Sequence, residues 1–165
     1  MTKFKIAIVP FFEHGSIENQ ERESNNLKIV MGIIGELKKL IKLKGWQIAA
    51  AKCTNSNKQR KYIDRTKSDC AVTIRVGKRE LSQFADALYK KTDSYKFAES
   101  VQAEFHRRGQ PDKSVMYDPR AYTTLRGECP CILVELSDSP IHETTTAQLE
   151  VAKSIIAGIS NTFKV

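Results

Sequence analysis

Cys131-Ile132-Leu133-Val134-Glu135-Leu136 is the stretch whose reading decides the fold. Its apolar residues run without polar alternation, interrupted only by Glu135 near the end, as in a short strand buried within a sheet. Two further runs share this character: residues 5–9 (Lys-Ile-Ala-Ile-Val), stopped by Pro10, and residues 70–76 (Cys-Ala-Val-Thr-Ile-Arg-Val). Residues 46–51 read as a fourth strand. Between them lie helical patterns. Over residues 24–44, Leu27, Val30, Ile34, Leu37 and Ile41 recur at steps of three and four, widened by Met31, Ile33 and Leu40, and Gly45 follows as a stop. Phe97, Val101 and Phe105 mark a helix over 94–108, closed by Gly109. Leu149, Ala152, Ile155, Ile156, Ile159 and Phe163 mark a last one over 144–163. The polar stretch 54–67 has room for a short surface helix. Residues 81–89 fit helix and strand equally, and 110–128, with Pro111 and Pro119, read as loop with at most one short strand.

Strands alternating with helices predict a single α/β layered domain over residues 1–165, a twisted, mostly parallel sheet flanked by helices. Sites in such sheets gather where loops leave the carboxyl ends of strands. His14 (after the first strand), Arg75 and Glu135 all reach that rim.

Composition bounds the partners. The chain has 27 Lys+Arg against 19 Asp+Glu, a net charge of +8, which favours anionic polymers or simply keeps the surface solvated. The basic clusters, such as Lys58-Gln59-Arg60-Lys61 and His106-Arg107-Arg108, come without an arginine-rich arm, aromatic RNA-binding motif or zinc-finger spacing, which argues against a nucleic-acid partner. Of the four cysteines, Cys129-Pro130-Cys131 is not the C-x₂-C of a metal knuckle. Cys70 and Cys131 sit in apolar runs where a buried free thiol is expected, and Cys53 stands apart. That fits a reducing compartment. The apolar run 6–9 is too short for a signal-peptide core, and no run is long enough to span a bilayer. Synthesis in the cytoplasm without an export signal of its own is expected, with release or carriage in a particle as the route outward.

Taken in order, several segments resemble the zinc-dependent N-acetylmuramoyl-L-alanine amidases (amidase type 3), over nearly the whole chain. Val9-Pro10 leading to His14-Gly15-Ser16 is similar to that family's first strand and Gly-His-Gly-Gly loop. Glu21-Arg22-Glu23-Ser24-Asn25-Asn26-Leu27 resembles the glutamate before its Asn-Leu helix start. Val72-Thr73-Ile74-Arg75-Val76 matches the strand that ends in Ser-Ile-His-Ala-Asn, and Pro130-Cys131-Ile132-Leu133-Val134-Glu135 matches its late Pro-x-x-Leu-Val-Glu strand. Ser94-Tyr95-Lys96-Phe97-Ala98 and the Leu125-Arg126 end of residues 120–126 resemble two more of its segments.

The resemblance implies a fold of parallel sheet and flanking helices, peptidoglycan as substrate, and a zinc ion held by two histidines and a glutamate beside a catalytic carboxylate. Carried over, His14 is the first ligand, Glu21 or Glu23 the second, and Glu135 the general acid/base. The second histidine's place holds Arg75. A guanidinium does not deprotonate to coordinate a metal, and at 4 Å from a divalent cation it is repelled by about 8 kcal/mol even at an effective dielectric near 20. His142, seven residues past Glu135, is the other histidine able to fold over this rim and replace the missing ligand. The residues also carry plainer readings. His14 can be an ordinary loop histidine, Glu21 and Glu23 can favour the helix N-terminus, and Glu135 can pair with Arg75. Two functions follow: a peptidoglycan amidase with impaired or lost zinc catalysis, or a non-catalytic structural or binding component of a phage- or particle-type assembly.

Overall fold

Strands form where the apolar runs lie, and their pairing explains why those runs are apolar. The structure, a computed structural model, describes residues 3–10, 20–50, 56–77, 83–86, 93–110, 129–137 and 139–165. Strands β1 (Lys5–Pro10), β2 (Gln47–Ala50), β3 (Cys70–Gly77), β4 (Gln83–Asp86) and β5 (Cys131–Ser137) make one sheet in the order β2-β1-β3-β5-β4. The first four in that order are parallel, and β4 runs antiparallel along the outer side of β5. A mostly parallel α/β sheet is therefore present. The segment 81–89, balanced between helix and strand in the sequence, contributes β4 over its central residues.

Among the described residues the helices are α1 (Gln20–Leu43), α2 (Ser56–Thr66), α3 (Asp93–Arg107) and α4 (Thr145–Phe163), with a 3-10 turn at Pro140–Glu143 just before α4. Thr144 caps α4, its side chain accepting from Ala147 N. At the other end Lys164 adopts the left-handed conformation that closes a helix. Helix α1 begins at Gln20, four residues before the range the sequence pattern marks, over residues of good helix propensity. Leu27 and Met31 lie on its exposed side, while Val30, Ile33, Ile34, Leu37 and Ile41 are buried.

Side-chain alternation along the strands divides the core in two. Ile6, Ile8, Cys70, Val72, Ile74, Ile132, Val134 and Leu136 face α1, α3 and α4, in the larger core. Ala7, Val9, Ala71, Cys131 and Leu133 face the opposite way, where Ile63 of α2 packs on them. Because both faces are covered, the central strands read as continuous apolar runs. An aromatic chain of Phe4 with Trp46 and Phe163, and Phe163 with Phe97, closes the amino end of the larger core.

Candidate functional site at the carboxyl rim of the sheet

The register of β3 and β5 sets Arg75 directly beside Glu135. Both side chains leave the sheet on the face shared with α2, since the neighbouring Ile74, Val134 and Leu136 occupy the other. Arg75 Nη2 donates to Glu135 Oε2 at 2.6 Å, and the glutamate is only 3% exposed. The carboxylate lies across Gly77, where an added Cβ would collide with Oε1 of Glu135. A glycine two residues past the arginine thus makes the space in which the buried pair sits. Sequence reasoning passed over Gly77, although its spacing from Arg75 on one strand face was the available signal.

His142 reaches the same rim by a different route. It sits in the 3-10 turn after β5, which packs on α4 and α1. Those helices cover the sheet face opposite to the Arg75–Glu135 pair. Gln148 Nε2 donates to the backbone oxygens of His142 and Glu143 and so latches the turn to α4. Gly32 of α1 provides room for that amide, because a side chain there would strike Gln148 Oε1. The His142 ring is buried, and neither nitrogen has a hydrogen-bond partner among the described residues. Burial disfavours its charged form and holds its pKa below the usual value.

The other residues singled out from the sequence divide as follows. Glu21 and Glu23 lie in the first turn of α1. His14, Cys53 and the segment 120–126 lie outside the described residues. Among the described residues no group of three or more His, Cys, Asp or Glu is arranged to hold a metal, and no helix is long and apolar enough to cross a membrane. The basic cluster at the end of α3 is largely neutralised. Glu104 accepts from Arg107 Nη2 at 2.7 Å and Arg108 reaches Glu150 at 3.3 Å, so these guanidiniums are engaged within the fold.

The buried imidazole makes stability depend on pH. Its folded pKa lies below the unfolded value of 6.5, so the unfolded chain takes up the proton first. The stabilisation of the neutral form is complete above that value and is lost as pH falls toward the folded pKa, by up to about 1.4 kcal/mol for each pH unit. Urea-unfolding midpoints measured between pH 7.5 and pH 5.5 (an interval chosen to bracket ~6.5) should fall for the parent chain. They should fall less for His142→Leu, which also removes two buried polar atoms that have no partner among the described residues. An unchanged slope in the variant would assign the pH dependence elsewhere.

Comparison with known proteins places the fold. No protein-family model matches the chain, and no curated protein does. Solved structures do. The CwlD amidase of Clostridioides difficile, solved in complex with the GerS lipoprotein, superposes with a TM-score of 0.78 at 18% identity, covering 96% of this chain and 98% of that one. An N-acetylmuramoyl-L-alanine amidase from Clostridium difficile 630 gives 0.77 at 18% identity, covering 99% and 98%. The catalytic domain of CwlV, an N-acetylmuramoyl-L-alanine amidase from Bacillus (Paenibacillus) polymyxa var. colistinus, gives 0.75 at 16% identity, covering 96% and 98%. The chain has the fold of the N-acetylmuramoyl-L-alanine amidases along essentially its whole length.

Proposed function

We propose that this chain is an amidase-type domain directed at peptidoglycan or a related anionic wall polymer, in which zinc-dependent hydrolysis is lost or severely impaired. The fold supports the wall-polymer reading, and the observation that carries the loss is the buried ion pair between Arg75 and Glu135. By resemblance, Arg75 occupies a position where the amidases supply a histidine ligand, and Glu135 the position of their acid/base. A guanidinium offers no lone pair to a cation, and here it is hydrogen-bonded to the carboxylate that would have to move a proton. The described residues at this rim therefore do not fit a zinc ion, and no catalytic step is routed through one. His14, Glu21, Glu23 and His142 remain the donors from which a different metal site would have to be built.

The test is metal content followed by turnover. Protein purified from zinc-supplemented medium is expected to hold far less than one zinc per chain and to release no stem peptide from peptidoglycan fragments. Arg75→His should raise zinc binding measurably. Stoichiometric zinc in the parent, with hydrolysis abolished by Glu135→Gln, would overturn the proposal. Under the same reading the domain serves as a binding or structural component, as in a phage- or particle-type assembly. The CwlD–GerS complex offers a precedent for a protein partner on this fold.

A further inference from the structure

We propose that Cys129 and Cys131 form a thiol–disulfide exchange site for small-molecule disulfides, at the end of β5 remote from Glu135. The two residues are separated only by Pro130, and their sulfur atoms lie 3.9 Å apart. A disulfide needs about 2 Å, so closure asks for a shift of about the same size. The shift falls on Cys129. Cys131 is the first residue of β5, buried, with its N–H held by Ser94 Oγ at 3.0 Å and its thiol directed at the carbonyl of Cys129 at 3.0 Å. Cys129 stands before the strand and is partly exposed. One cysteine is thus partly exposed and its neighbour buried, the order expected of an attacking and a resolving cysteine.

The local chemistry agrees with this division. The adjacent Cys131 sulfur and a backbone hydrogen bond hold the Cys129 thiol below the usual cysteine pKa, against opposing contributions from burial, Asp64 and Asp69. Cys70, fully buried on the other face of the sheet, has its pKa pushed well up by burial and takes no part. The site lies four residues along β5 from Glu135, about 13 Å by strand rise, so it is separate from the rim that carries the proposed wall-polymer function.

The exchange balances as follows. The Cys129 thiolate attacks one sulfur of the small disulfide, whose S–S bond breaks and releases one thiolate. Cys131 gives up its proton and attacks Cys129 Sγ in the mixed disulfide, releasing the second thiolate. Two electrons pass from the cysteine pair to the small disulfide, and the two protons end on the released thiols.

Oxidised glutathione is the probe. The folded chain is treated with it, alkylated, and digested with trypsin, which yields a peptide 127–153 containing Cys129, Cys131 and no other cysteine. The expected peptide is unalkylated and lighter by two hydrogens than the reduced form. In Cys131→Ser the same peptide should instead retain one glutathione on Cys129. A parent peptide alkylated at both sulfurs, or one that keeps a glutathione adduct, would overturn the proposal, and this result needs no variant to fold. A Cys131→Ser peptide without adduct would overturn the assignment of Cys129 as the attacking thiol.

Discussion

Arg75→Leu should destabilise the chain by about 3–5 kcal/mol, because it leaves the Glu135 carboxylate buried without its partner. The cost comes from the stranded charge more than from the lost attraction. Taking two ions out of water is expensive, and the pair recovers that cost only while both members are present. The double variant Arg75→Leu/Glu135→Leu should accordingly regain most of the stability lost by the single one. Urea unfolding of the parent, the two single variants and the double variant gives the coupling directly. A double variant as unstable as the sum of the singles would mean that the two side chains act independently, contrary to their 2.6 Å contact.

The second large effect concerns the packing of α4 on α3. Gly158 of α4 lies so close to Val101 that an added Cβ would come within 2.8 Å of its Cα and 2.9 Å of its backbone nitrogen. Main-chain atoms within a helix do not step aside as a flexible side chain does. Gly158→Val should therefore prise the two helices apart and cost about 3 kcal/mol, lowering the thermal midpoint by several degrees. Gly35 of α1 is the control, since an added Cβ there meets nothing within 4 Å. Gly35→Ala should stabilise by about 1 kcal/mol through helix propensity alone. If both substitutions move stability in the same direction, the close helix approach is not what Gly158 provides.

Much of the architecture is legible in the sequence for physical reasons that differ by element. β1, β3 and β5 are covered on both faces, so burial wrote them as unbroken apolar runs that only a strand of that length explains. α1, α3 and α4 bury one stripe each, and a period near 3.6 exposes them. β4 is different. Its four residues take their conformation from pairing with β5, a tertiary cause that local propensity does not encode. The extra first turn of α1 was missed because Gln20 to Glu23 are polar on every side and so carry no periodicity.

The site was legible only in part. Glu135 and Arg75 stand at the ends of recognisable strands, and parallel strands of similar length bring their ends to one rim. Their adjacency depends on the register between β3 and β5, which spacing alone does not fix. Gly77 is easily passed over because its contribution is an absence of atoms, and only its two-residue spacing from Arg75 on one strand face signals it. His142 could be placed near the rim from its distance in sequence, but not on the helix-covered face, which follows from how the 3-10 turn docks on α4 and α1.

The sheet order has a consequence for how the chain is made. β3 lies between β1 and β5, and the ladder that joins Arg75 to Glu135 spans sixty residues of chain. On the ribosome, β3 therefore keeps one side unpaired until residue 137 has emerged, presenting an apolar edge of the kind that recruits other nascent chains. Non-local parallel pairing also closes slowly. Misassembly should concentrate in that interval of synthesis, and slowing translation between 77 and 131 would lengthen the exposure.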